Sequence, residues 1–387
     1  MFGCGVGIGD GALALWDVVA AQGHSAIWLV GTAREARDAS ARGIPNAPKR
    51  SLRGFWLTAR AEIVVVTHGF GDVNRYAISD AFIVQLWHGI PLKRIGLDSP
   101  ETVRSGILPG SRLLRALIAR MYRGAARRID VLPAASHIVR GRLESAFGLP
   151  DPRVPVTGEP RVDVLSRGAP ETRRTMARAA IAAAAGPLRS VDRLVLYAPT
   201  WRDGAPDPAV PSAEEWRLVA DVLDRHHAVL LVRSHPLGAG EYAPPFPTER
   251  VVSLGSDVVS DVTPLLPGLD ALVTDYSSLV FDTALVPLPV VFLATDVEAY
   301  ARTRGLYGSY ADVAGTGWAT DWTEAAAQLD ALLGDETDRA ARLERAGRLS
   351  QRVHAFRDGD NTHRVYRAIL TRRGVAPVPD PDPKGTR

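Results

Sequence analysis

The run ALVTDYSSLVFDTAL, residues 271–285, reads as a buried strand that stops abruptly and hands over to a helix. Its opening ALVT has no polar alternation, the pattern of a strand covered on both faces in a parallel sheet. Asp275 and Tyr276 make the turn, and Ser277 and Ser278 open the following helix. The same grammar recurs before it in AIWLV (26–30), EIVVVT (62–67), AFIVQLW (81–87), IDVLPAAS (129–136) and RVPVTG (153–158). It continues in RLVLYAPT (193–200), AVLLVRSHP (228–236), RVVSLG (250–255) and VVFLATD (290–296). Helical stretches separate these runs. One follows Asp10, a candidate N-cap, and stops at Gly23; another opens with Ser212 and Glu215 at capping-box spacing. Alternating strand and helix in two blocks predicts an α/β chain of two doubly wound units, divided in the arginine-rich stretch 166–174.

A length of 387 residues suits two cores better than one. Hydrophobic content of 46% and charged content of 23% are those of an ordinary folded protein, and a net charge of +3 is too small to argue for a nucleic-acid partner. A single cysteine, Cys4, excludes an internal disulfide. The N-terminal MFGCGVGIGDG lacks the basic and apolar regions of a secretory signal, so a cytoplasmic location is expected. Asp282, Pro287 and Pro289 interrupt the most apolar segment, residues 279–294, and a spanning helix needs about 20 apolar residues. The glycine-rich GVGIGDG at 5–11 has no evident strand before it and is read as a flexible loop. Past residue 335 the sequence is helical to about 373, and the proline-rich end, residues 375–387, is expected to be disordered.

Candidate chemistry clusters just after the strands, where open α/β sheets bind ligands. VQLWHGIPLKRIGLD, residues 84–98, ends a strand with His88 beside Gly89, then Lys93 and Arg94: either a proton-transfer loop near an anion or a turn with a structural histidine. Ser277 and Ser278 either cap a helix or add hydroxyl donors to an oxyanion, while the neighbouring Asp275 orients a histidine or takes a hydroxyl. Thr200 and Arg202 follow one strand, and Arg233 and His235 another. Together these loops fit an anion such as a diphosphate, held without a P-loop. The histidines are scattered and form no metal-ligand spacing; no cofactor is expected, and a need for a divalent cation is left open. SRLLRALIARMYRGAARR, residues 111–128, carries an apolar stripe of Leu113, Leu114, Leu117, Ile118 and Met121 among arginines from Arg112 to Arg128. It is either a core-packing helix or one that lies on an anionic membrane surface.

With these residues assembled, the sequence resembles the CDP-glycerol glycerophosphotransferase family over about residues 62–369. The motifs are WHG-x-PLK-x-x-G at 87–96, G-x-PR-x-D at 158–163, APTWRD at 198–203 and R-x-HP at 233–236. TDYSS follows at 274–278 with Phe281 and Asp282, then D-x-E-x-Y at 296–300, RG-x-Y at 304–307, and Asp358, Gly359 and Arg364. Ile90 stands where the family usually has threonine, Val162 where asparagine is common, and DNTHR at 360–364 departs from the usual continuation.

The resemblance implies a GT-B fold, two Rossmann-like units facing across a cleft: an acceptor domain at 1–168 and a CDP-polyol donor domain at 169–355. It also implies that a helix at 356–374 crosses back to the first. It implies transfer of a polyol phosphate from a CDP-polyol to a lipid-linked or polyol-phosphate acceptor with release of CMP, at the inner face of the cell membrane. His88 would be the base, suited to that task by a pKa of about 6.5. Thr200, Arg202, Arg233, His235, Asp275, Ser277, Ser278 and Arg304 would serve the donor side, with His235 and Arg233 easing the departure of CMP. Gly89, Lys93, Arg161 and Asp163 would serve the acceptor or its loop. A GT-B glycosyltransferase using a nucleotide sugar, and a non-catalytic module that binds anionic polymers, are the alternatives.

Overall fold

The structure, a computed structural model, describes residues 1–78, 80–102, 111–186, 188–189, 192–200, 207–234 and 242–375. Its strands are β1 (Trp28–Val30), β2 (Asn46–Pro48), β3 (Ile63–Val66), β4 (Phe82–Gln85), β5 (Ile129–Val131), β6 (Arg193–Ala198), β7 (Ala228–Val232), β8 (Val251–Ser253), β9 (Ala271–Thr274) and β10 (Val290–Phe292). All their pairings are parallel. The later strands form one sheet in the order β10-β9-β6-β7-β8. Its strand order reverses between β6 and β9, the position where such sheets bind ligands. β7 and β9 are buried throughout, which is why their sequences read as unbroken apolar runs.

The earlier strands form a second layer whose centre is the start of the chain. Residues 1–3 pair on both sides: Phe2 N donates to Ile27 O at 2.9 Å and Phe2 O accepts from Leu29 N at 2.8 Å, while Gly3 N donates to Val65 O at 3.0 Å. The order across this layer is therefore β2-β1, residues 1–3, then β3-β4-β5. This overturns the reading of GVGIGDG as a flexible loop without a strand before it. The loop links a central, buried strand to the helix Asp10–Ala21. Phe2 stacks on Trp28 at 5.8 Å and meets Trp16 edge-on at 5.2 Å, which anchors it.

Helices cover both faces of this layer. Leu15 and Trp16 of the helix Asp10–Ala21 share a buried cluster with Val365, Tyr366 and Ile369 of the final helix, Asn361–Arg372. Tyr366 Oη also meets His24 Nε2 at 2.8 Å. On the other face Leu57, from Leu52–Ala59, and Tyr122 and Ala126, from Arg112–Ala126, pack against a different cluster. Among the described residues no helix is long and apolar enough to cross a membrane.

Two local expectations change. RVPVTG is not a strand: it touches β5's continuation at one bridge, Val156 to Ala134, because Pro155 has no N–H to extend a ladder. Asp10 is the first helical residue rather than the N-cap; its N–H donates to Asp261 Oδ2 at 3.2 Å and its Oδ1 accepts from Gly11 N at 2.7 Å. The expected capping box is present, with Ser212 N donating to Glu215 Oε2 at 2.8 Å and Glu215 N to Ser212 Oγ at 3.3 Å. The expected disordered end falls, from residue 376 on, outside the described residues.

Candidate active site

β4 ends at Gln85, and the chain turns through Trp87 and Gly89, both in the left-handed region at φ 63° and 129°. Glycine takes that conformation freely; for tryptophan it costs roughly 1–3 kcal/mol, which packing must offset. The Trp87 ring lies 4.1 Å from the His88 ring and meets Phe147 edge-on at 5.2 Å. On its other side His88 stacks on His68, 4.2 Å between centroids and 4° between planes. His68 is held in turn. Asp72 Oδ2 accepts from the N–H groups of Thr67 and His68 at 2.9 and 2.8 Å, and Thr67 Oγ1 lies 2.9 Å from His68 Nδ1. A Cβ on Gly5 would fall 2.4 Å from the His68 ring, so the glycine-rich loop must lack a side chain there.

Burial, then the charge of His68, pull the His88 pKa down to about 3, against the opposing contact with the Thr67 carbonyl. At neutral pH the ring is therefore uncharged and can accept a proton. Its basicity in the free protein is weaker than the sequence reading assumed.

The arm after Gly89 is zipped to the RG-x-Y segment. Arg94 N donates to Gly305 O at 3.1 Å and Tyr307 N to Leu92 O at 2.9 Å, with Lys93 opposite Leu306. Tyr307 Oη donates to Asp98 Oδ2 at 2.6 Å.

The second sheet contributes a cradle at its reversal point. Asp275 Oδ1 accepts from Thr200 N at 2.9 Å, and Thr274 Oγ1 donates to Ala198 O at 2.7 Å, so the ends of β6 and β9 are tied together. Asp275 thus shapes the cradle. The helix after Ser278, Leu279–Thr283, is too short to offer a strong terminal dipole, which leaves the serine hydroxyls and turn amides as the donors there. The Arg233 guanidinium is fixed in place by the carbonyls of Leu254, Val259 and Ser260 at 3.2, 2.8 and 3.2 Å.

Arg233 and the two serines line a cavity of about 760 Å³. Pro199, Arg233, Ser277 and Ser278 form one wall, and the glycine loop with Thr32 and Arg34 forms the other. The two layers touch beneath it. A Cβ on Gly89 would lie 3.5 Å from Ser278 Oγ. Arg161 crosses the junction: Nη1 donates to both Asp282 oxygens at 2.7 and 2.8 Å, Nε to Asp10 at 3.1 Å and Nη2 to Thr263 Oγ1 at 3.1 Å. Beside it Glu159 is buried, and burial pushes its carboxyl up to about 8.

The structure thus gathers Gly89, Arg161, Arg233, Ser277 and Ser278 around one junction, with Thr200 and Asp275 tying the strand ends behind the serines. Arg304 lines a different cavity, with His68 and Trp87. Asp163 faces the final helix and accepts from Asn361 N, Thr362 N and Thr362 Oγ1 at 3.0, 2.8 and 2.6 Å. His235 and Arg202 lie outside the described residues. Among the described residues no group of three or more His, Cys, Asp or Glu side chains could hold a metal ion. His68 escaped the sequence reading, although THG at 67–69 repeats the strand–histidine–glycine pattern of WHG at 87–89.

Residues 8–371 match the family described as CDP-glycerol:poly(glycerophosphate) glycerophosphotransferase. The teichoic acid glycerol-phosphate transferase of Staphylococcus aureus is 28% identical over 278 residues, 69% of this chain and 66% of that protein. The teichoic acid poly(glycerol phosphate) polymerase of Staphylococcus epidermidis is 30% identical over 241 residues, which is 59% of this chain but 30% of the polymerase. The chain therefore spans less than two thirds of the length of these relatives. In fold it is similar to the wall teichoic acid polymerase TagF, with a TM-score of 0.75 at 20% identity over 96% of this chain and 88% of that one. It is an α/β protein of parallel sheets, and by the match along nearly all of its length the chain belongs to the CDP-glycerol:poly(glycerophosphate) glycerophosphotransferase family.

Proposed function

We propose that this chain transfers a polyol phosphate, glycerol phosphate first among them, from a CDP-polyol to a hydroxyl of a lipid-linked or polymeric acceptor and releases CMP. Units of the GT-B type, residues 1–168 and 169–355, present their strand ends to each other across the cavity, and residues 356–374 return to the first unit. The observation that supports this reading is the meeting of the WHG turn with Ser278: Gly89, next in the chain to the neutral His88, lies against the serine turn of the other sheet.

In the reaction the acceptor oxygen attacks the β-phosphorus. A new O–P bond forms, the bond from that phosphorus to the bridging oxygen breaks, and CMP leaves with that oxygen. His88 takes the hydroxyl proton as the oxygen attacks, a contribution of roughly 10²- to 10⁴-fold. Its low pKa in the free protein rises when an anionic diphosphate occupies the cavity, because nearby negative charge favours the imidazolium. Ser277, Ser278 and the fixed Arg233 stabilise charge on the diphosphate, with Thr200, Arg202 and His235 assigned to the same task. Phosphoryl transfer asks chiefly for such positioning and charge stabilisation.

A peripheral place on an anionic membrane is supported by the helix Arg112–Ala126, which leaves Leu113, Leu117 and Met121 exposed by 85%, 52% and 67% among its arginines. Release of CMP from CDP-glycerol or CDP-ribitol, with a product heavier by one polyol phosphate, tests the proposal.

A further inference from the structure

A second cavity, of about 400 Å³, is lined by His68 and Trp87, the two residues whose rings lie against that of His88. Its walls include the aromatic rings of Phe70, Trp87, Tyr122 and Phe147. Arg94, Arg304 and Glu101 supply its charged lining. His68, Arg94, Glu101 and Ala125 are exposed, so the cavity opens to the surface. Its rim includes Tyr122, Ala125 and Ala126, which belong to the helix with the exposed leucines and arginines.

The geometry points to this cavity as the acceptor subsite: it takes the polyol-phosphate head of an amphipathic, lipid-linked acceptor and delivers a hydroxyl to His88 past the rings of His68 and Trp87. This assignment rests on the transfer reaction proposed above. The chemistry of the lining matches such a head. Guanidinium groups suit a phosphate, a carboxylate accepts from polyol hydroxyls, and aromatic walls take the first part of an apolar chain.

The helix whose apolar stripe is exposed forms the cavity rim, so an acceptor held in a bilayer by its lipid would not need to leave the membrane surface to reach it. Leu52, Phe55 and Trp56 are likewise exposed on the helix Leu52–Ala59, which packs on the same face of the sheet.

The test is calorimetric titration of the full chain with decyl glycerol phosphate, beside glycerol phosphate without the alkyl chain. Ala125→Trp narrows the mouth and Arg94→Gln removes one cation while keeping most of the stem. Binding of the decyl compound is expected to weaken at least about tenfold in each variant, with CDP binding and melting temperature within error of the parent chain. Failure of the parent chain to bind the decyl compound, or equal binding by both variants, overturns the assignment. CMP formation from CDP-glycerol is scored separately. Intact binding without any turnover would keep the subsite and remove the transferase reading.

Discussion

His68 and His88 lie face to face, their ring centroids 4.2 Å apart and their planes 4° from parallel. Burial, and then the charge of His68, keep His88 neutral at neutral pH. In kcat/KM, which reports the free protein, the acid limb should therefore lie well below pH 6.5. His68→Asn removes one of the charges that hold His88 down, leaving those of Arg161 and Lys93, so the limb should move to higher pH. A midpoint near 6.5 in the parent chain, or no movement in the variant, contradicts this arrangement.

Stability should depend on pH through groups of opposite sign. His88 and His354 are held down to about 3 and about 4, chiefly by burial, so the unfolded chain binds protons that the folded one refuses. Their effect is loss of stability as pH falls from about 6.5 towards those values. Glu159, raised to about 8, is protonated when folded; its contribution is full below about pH 4.3 and is lost as pH rises through 8. Glu159→Gln should therefore flatten the fall in melting temperature between about pH 4.5 and 8 and leave the slope below about pH 4 unchanged. An unchanged slope between about pH 4.5 and 8 in the variant counts against a protonated Glu159.

Arg161 and Asp282 join the two layers in a buried pair, and removing one partner strands the other's charge. Asp282→Ala should cost about 3–5 kcal/mol in denaturant unfolding. The double variant Arg161→Met, Asp282→Leu should cost less than the two single changes summed. Additive losses would show that the pair is not coupled.

Arg115, Arg120 and Arg123 surround the exposed stripe of the helix Arg112–Ala126. Changing all three to glutamate should release the protein from vesicles rich in anionic lipid, since each basic group near such a surface contributes about 1 kcal/mol. Unchanged co-sedimentation rejects the membrane role.

How much of this was legible in the sequence follows from what each element needs. The runs that became β6, β7 and β9 announced themselves because burial on both faces demands unbroken apolar residues. The capping box at Ser212 was readable because both partners are local. Residues 1–3 and β2 were not readable: a three-residue strand has no period to detect, and Asn46 and Pro48 are turn formers, so tertiary pairing alone makes them strands. The cradle serines and Arg233 could be placed at strand ends from their spacing, but the crossing of Arg161 to Asp282 joins positions 121 residues apart, and no local pattern encodes it. The depressed pKa of His88 was hidden for the same reason, because it comes from burial and from a ring contributed by a different strand end.

The central claim is that His88 removes a proton from an acceptor hydroxyl while the far sheet holds a CDP-polyol. The most direct measurement is CMP release from a panel of CDP-glycerol, CDP-ribitol and UDP- and GDP-sugars with a lipid-like acceptor, for the parent chain and for His88→Ala. The account predicts turnover with a CDP-polyol and a loss of roughly 10²- to 10⁴-fold in the variant, with CDP binding retained. Turnover with nucleotide sugars alone, or a His88→Ala protein that works at nearly the parent rate, would contradict it.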